Sequence, residues 1–228
     1  MLFRSPRIWH RLTVAPYWLR HELERRIDQE ISAASHGNPA RIILKANSLV
    51  DPLMIDRLYQ ASGAGVRIDL IIRGICCLRP GVPGLSENIS VRSIIGRFLE
   101  HSRIFYFYHD GSEDLYLSSA DWMPRNLDRR VELMFPIEDE DVRRSIMQVL
   151  EIQLEDTERA RLMLPDGQTV RVDRRGKTHL DCQRFLCEQA MADAHEGSDT
   201  QAEYRFEPAD RPEGQKTVRQ VLRAGQLP

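Results

Sequence analysis

Lysines and cysteines are few in this 228-residue sequence, no long apolar run occurs, and neither sign of charge is in excess. Lys45, Lys177 and Lys216 are the only lysines among 32 basic residues, so 29 arginines carry the positive charge. The planar fork of arginine matches phosphate bidentately. A codon bias explains such a total equally well, so only the placement of individual arginines bears on function. The four cysteines are the adjacent Cys76 and Cys77 and the distant Cys182 and Cys187. That spacing suits neither a zinc site nor a small disulfide scaffold. It implies reduced thiols and a cytoplasmic protein, and a membrane-peripheral placement is compatible with the same composition. The longest apolar stretch, Leu70 to Leu78, is broken by Arg73 and Gly74 and is too short to span a bilayer, so no transmembrane segment is expected. A net charge of −2 supplies no global field for nucleic acid or an anionic membrane, so any anion site must be local. Arg4, Arg7, Arg11 and Arg20 precede the first acidic residue, but Thr13 and Pro16 interrupt Leu12 to Leu19 and no small-residue cleavage site follows, which argues against export. His10, His21, His36, His109, His179 and His195 share no metal-ligand spacing, and no residue is assigned to a metal.

What is present is periodic. Leu19, Leu23, Ile27 and Ile31 recur every four positions and predict an amphipathic helix that stops near Gly37-Asn38-Pro39. Ala40 to Ala46 is short and β-branched, and Asp51-Pro52 opens a helix as N-cap and first position. Val66 to Arg73 predicts a second strand, followed by a loop punctuated by Pro80, Gly81, Pro83 and Gly84. This alternation, with the hairpins that follow it, predicts an α/β fold with a mixed, largely parallel sheet flanked by helices, and ligands beyond the carboxyl ends of its strands. Ile104 to Tyr108 and Leu115 to Leu117 form a hairpin around Asp110-Gly111. A strand at Val131 to Ile137, a helix at Asp141 to Leu154 and a hairpin around Pro165-Asp166-Gly167 follow. Asp181 to Ala194 reads as a lone helix, and Glu196 to Pro228 as a polar, disordered tail.

One constellation carries chemistry. His101-Ser102-Arg103 is followed, after the hairpin, by Ser118-Ser119-Ala120-Asp121. It resembles the phospholipase D superfamily pattern His-x-Lys and Gly-Ser-x-Asn, with Arg103, Ser118 and Asp121 replacing the lysine, glycine and asparagine. Residues i and i+2 of a strand point the same way, so His101 and Arg103 are expected on one strand face, with the Ser119 hydroxyl on the neighbouring strand.

The departures define a narrower resemblance. Asn47-Ser48-Leu49-Val50-Asp51, Arg73-Gly74-Ile75-Cys76, Pro83 to Ile89, Arg97 to Arg103 and Ser118 to Asn126 occur in the order of the C-terminal, second phospholipase D-like domain of long bacterial polyphosphate kinases. The similarity covers roughly residues 12–175, leaving residues 1–11 as an unmatched extension and 176–228 as a helix with the tail. It implies reversible transfer of the terminal phosphate of ATP to polyphosphate through a phosphohistidine, with ADP as co-product and magnesium as cofactor. That phosphohistidine belongs to a preceding domain without counterpart here, so the resemblance implies a catalytic-domain fragment that is inactive alone. A separate chain carrying the missing domains, or a homo-oligomer, are the partners it raises.

The same resemblance places His101 as catalytic residue and Arg73 and His101 at the ATP phosphates. Arg103, Ser119 and Arg125 follow as supplementary contacts. The residue chemistry agrees: phosphoryl transfer needs charge stabilisation and in-line geometry, which an arginine fork and an imidazole near neutral pH supply. Two other readings stay open: a homodimeric phosphodiesterase with His101 as nucleophile, and a non-catalytic module that binds nucleotide or polyphosphate through Arg73.

Overall fold

The computed structural model describes residues 11–196, so the extension before Arg11 and the predicted tail lie outside the described residues. Residues up to Gln189 form one unit, and Ala190 onward a second of which only the end of one helix is described. The elements run β1 (Thr13–Ala15), α1 (Leu19–Ser35), β2 (Ala40–Ala46), α2 (Pro52–Gly63), β3 (Arg67–Ile72), β4 (Ile89–Ile94) and β5 (Ile104–His109). There follow β6 (Ser112–Ser118), α3 (Pro124–Asp128), β7 (Glu132–Pro136), α4 (Glu140–Leu154), β8 (Ala160–Met163), β9 (Thr169–Arg171) and α5 (Cys182–Glu196).

All nine strands join one sheet in the order β1-β7-β6-β5-β2-β3-β4-β8-β9. The expected layered α/β architecture holds, but the largely parallel sheet does not: only β2 with β3 and β3 with β4 run parallel, and the other six pairings are antiparallel. Connection length accounts for the contrast between the centre and the hairpins. A parallel crossover needs a dozen or more residues, which α2 and the loop from Arg73 to Asn88 supply, whereas β5 to β6 and β8 to β9 turn back at once. Asp110 (φ 49°) and Gly111 (φ 84°) both adopt positive φ, as a two-residue hairpin of matching twist requires. Ile89 to Ile94, which sequence periodicity leaves in a loop, extends the parallel centre as β4, and β1 and the short α3 are likewise added by the fold.

Side chains alternate across the central strands. Ile42, Leu44 and Ala46 of β2 join Ile68, Leu70 and Ile72 of β3 in the core beneath α1 and α2. Ile43 and Ile71 face the other way, toward Leu150 of α4, Ala160 of β8 and Cys182 of α5.

The first face is locked by Arg20 of α1. Its guanidinium grips Asp51 (2.9 and 2.6 Å) and reaches Asp128 at the end of α3 (2.8 and 2.7 Å). Asp51 is 1% exposed and also caps α2, accepting from the Met54 N–H at 3.0 Å. Replacing Asp51 by alanine removes the cap and leaves Arg20 short of a buried partner. Asp51→Ala is expected to lower stability by about 2–4 kcal/mol, read as a fall in the urea midpoint, with Asp51→Asn milder because it keeps a capping oxygen.

Candidate functional site

The register of the sheet brings the sequence-predicted residues to one edge. β2 ends with Ala46 opposite Ile72 of β3, and β5, running the other way, begins with Ile104 opposite Lys45. Arg73 therefore leaves the sheet beside Asn47 on one side, and Arg103 arrives beside it on the other. With strands about 4.8 Å apart, the two arginine backbones stand about 10 Å apart. His101 lies two residues before Arg103, in the extended segment that leads into β5 rather than on the strand, which starts only at Ile104.

Asp121 is the hub of this edge. Its Oδ1 accepts from the Asn47 N–H (2.8 Å), the Ser48 N–H (3.2 Å) and Arg103 Nε (3.0 Å), and its Oδ2 from Arg103 Nη2 (3.0 Å). Burial opposes the negative charge, but the Arg103 fork and the two amides outweigh it and hold the carboxyl below its ordinary value. Arg103 Nη1 donates in turn to the His101 carbonyl at 3.2 Å. On the far side, Asn47 Oδ1 accepts from Arg73 Nε at 3.0 Å and from Arg73 Nη2. One chain of hydrogen bonds thus runs from Arg73 through Asn47, Asp121 and Arg103 to the backbone of His101. Gly74 is required beside it: a Cβ there would meet the Asn47 carbonyl oxygen at 2.8 Å.

A second network supports the segment that carries His101 from beneath. Lys45, only 1% exposed, donates from Nζ to Glu100 Oε2 and Ser102 Oγ, both at 2.9 Å. Glu100 also accepts from Gln153 of α4 (2.9 Å) and Gln183 of α5 (2.8 Å). Gln183 grips the Phe98 backbone like a neighbouring strand, accepting from its N–H at 3.0 Å and donating to its carbonyl at 2.8 Å. Burial pushes the Glu100 carboxyl up, but Lys45 and the two amides prevail and it stays below its usual range.

The predicted residues have different fates. Arg73 is half-buried, keeps Nη1 free of side-chain partners among the described residues, and lines a cleft of about 400 Å³ with Asn47, Arg97, Phe98 and Leu99. His101 is exposed, and its ring has no hydrogen-bond partner among the described residues. Arg103 is spent on Asp121. Ser119, just past the end of β6, donates to the Glu132 carboxylate and accepts the Leu133 N–H at 3.0 Å. Arg125 is exposed on α3, where only its carbonyl is engaged, by the Arg129 and Arg130 amides. Sequence reasoning missed Asn47, Lys45, Glu100 and Gln183 as supports. A lone lysine inside the apolar run Ile42 to Ala46 was the one available signal, since a buried ammonium demands a partner.

Among the described residues no group of three or more His, Cys, Asp or Glu side chains is placed to hold a metal ion. Asp121 and Glu100 are both saturated by cations and amides, so the carboxylates at this edge do not fit magnesium.

Residues 12–183 match the family model described as polyphosphate kinase C-terminal domain 2. The chain belongs to the polyphosphate kinase family. It is 48% identical over 199 residues to a polyphosphate kinase of Lactiplantibacillus plantarum, covering 87% of this chain and 28% of the relative. With that of Pseudomonas aeruginosa it shares 54% over 166 residues, covering 73% and 24%. The crystal structure of polyphosphate kinase from Porphyromonas gingivalis superposes with a TM-score of 0.80 at 37% identity, covering 85% of this chain and 30% of that one. The chain thus spans about a quarter of the length of the curated relatives it matches.

Both hub carboxylates have pKa values depressed by folding, so their stabilising contribution is complete above their ordinary values of 3.8 and 4.5. It is lost as pH falls through the lower folded values. Urea midpoints measured downward from pH 5 are expected to drop for the wild type, and less steeply in Asp121→Asn and Glu100→Gln, which start from lower stability.

Proposed function

We propose that this chain supplies the nucleotide-phosphate side of a polyphosphate kinase site, acting in the reversible transfer of the ATP terminal phosphate to polyphosphate. The observation that supports this reading is the single hydrogen-bonded frame that runs from the Arg73 side chain through Asn47, Asp121 and Arg103 to the His101 backbone carbonyl. Asn47 holds two nitrogens of Arg73 and leaves the guanidinium oriented toward the cleft. There it receives phosphate oxygens and offsets the charge that develops on them during transfer. The ring of His101 donates a hydrogen bond or a proton to the leaving oxygen as the bond from the terminal phosphorus to ADP breaks and the phosphoryl group passes to the histidine acceptor carried by the longer relatives. The phosphohistidine and the remaining machinery belong, in this reading, to the parts of the longer relatives that the chain does not cover. In this reading magnesium arrives with the nucleotide rather than from a carboxylate site of this chain. The phosphodiesterase alternative gains nothing from the geometry, because Arg103, in the place of the motif lysine, is locked onto Asp121.

The test is ATP and ADP binding by calorimetry. Arg73→Ala is expected to weaken both by about ten- to a hundredfold, the loss of a charge-assisted contact. His101→Ala is expected to leave ground-state binding within a few-fold, because its contribution falls on the transition state. Undiminished nucleotide affinity in Arg73→Ala overturns the assignment.

A further inference from the structure

A concavity of about 740 Å³, larger than the Arg73 cleft, lies toward the β8–β9 margin of the sheet, lined by Arg159, Arg161, Arg171 and Arg184 and also by Glu158 and Asp181. Arg161 of β8 and Arg171 of β9 are direct cross-strand partners, and both are exposed. Neither has a carboxylate within ion-pairing distance among the described residues, although Arg159 is paired with Asp181 at 2.8 Å and Glu158 with Arg174 and His179. Like charges directly opposite on a sheet destabilise it. A pair kept without a counterion on the protein is therefore half of an interaction, and a bound anion is the group that completes it.

The cleft is continuous with the Arg73 site. Ile95 lines both. Between them, a hollow of about 350 Å³ is lined by Arg97, which also borders the Arg73 cleft, and by Arg159 and Arg184, which also border the larger one and pair with Asp181 (2.8 Å) and Glu188 (3.8 Å) of the same lining. Ser93 stands opposite Arg161 in the register, so the row Ser93-Arg161-Arg171 continues outward from β4 on one face, and the Ser93 hydroxyl donates to the Arg73 carbonyl at 3.4 Å. Three strand spacings separate β3 from β9, a run of about 15 Å.

We infer that this groove is a track for a linear phosphate polymer, with Arg161 and Arg171 as its outer clamp and Arg73 at its inner end. The inference rests on the reading of Arg73 as a phosphate site and extends it to the chain-length-dependent part of the substrate. Arginine forks suit successive phosphates, each engaging two oxygens. The cleft is lined by no Phe, Tyr or Trp, and the junction's Phe98 lies under the Arg97 guanidinium, 5.5 Å from the ring centroid. Phe98 is 49% exposed but lies only at the inner junction, so the outer clamp offers no aromatic platform to the bases of single-stranded nucleic acid, which favours a base-free polyanion as the ligand.

The test compares the wild-type chain with Arg161→Gln/Arg171→Gln, titrated with long-chain polyphosphate, ATP and a single-stranded DNA of equal charge across a salt series. The double variant is expected to bind long-chain polyphosphate at least tenfold more weakly, with a shallower salt dependence, while ATP binding is unchanged and the melting temperature of the free protein is the same or higher. Long-chain affinity within twofold of wild type overturns the track, as does a large drop in melting temperature, which would make the pair structural. Tighter binding of the DNA than of polyphosphate, lost in parallel in the variant, overturns the choice of ligand. If instead the variant behaves as expected while Arg73→Ala leaves ATP binding intact, the earlier reading of Arg73 falls and the outer clamp stands.

Discussion

The carboxylate of Asp121 is the interaction on which the edge of this sheet depends. Three chain segments arrive there from distant parts of the sequence: the end of β2, the approach to β5, and the loop beyond β6. The first two bring donors that burial leaves without water, and the third brings the acid. One buried acid satisfies them all, accepting two amides and a bidentate guanidinium. An anion surrounded in this way offsets its own desolvation, and it also fixes the separation of the strands on either side of Asn47. The positions of Arg73 and His101 follow from that separation.

Charge in the protein divides between two tasks. Arg20, Arg103 and Lys45 are structural cations, each gripped by a buried or half-buried carboxylate. Arg73, Arg161 and Arg171 have no carboxylate partner among the described residues and face clefts. A net charge near zero, which excludes a global field, conceals this separation: Glu158 and Asp181, which line the larger cleft, are spent on Arg174 and Arg159, and Arg73, Arg161 and Arg171 are left over.

Much of the frame is legible in the sequence because local rules and tertiary context agree. The four-residue spacing of α1, the Asp51-Pro52 start of α2 and the Asp110-Gly111 turn all describe their own neighbourhoods, and the fold keeps them. The direction of strand pairing is a different kind of information. Alternating helices and strands at the amino-terminal side suggest a parallel sheet throughout, but only β2 to β3 and β3 to β4 join sheet neighbours by a crossover, whereas the equally long connections that carry α1 and α4 lead to strands that are not neighbours. The strand of Ile89 to Ile94 is hidden for a related reason: Ser90, Arg92 and Ser93 dilute its apolar pattern, and it is a strand because β3 and β8 pair with it. At the site, motif resemblance points to Arg73 and His101. Arg103 looks equally available in sequence, because its partner Asp121 lies 18 residues away across a hairpin and no local spacing announces the pair. Lys45, Glu100 and Gln183 meet only when α5 folds back over the sheet.

The grip of Gln183 on Phe98 separates posture from attraction. It acts through an uncharged amide that mimics a peptide, so electrolyte concentrations that screen arginines from an approaching polyanion leave the clasp on the loop as it was. The loop beside the Arg73 cleft therefore keeps its shape across ionic strengths at which an anion held by the arginines alone would be released.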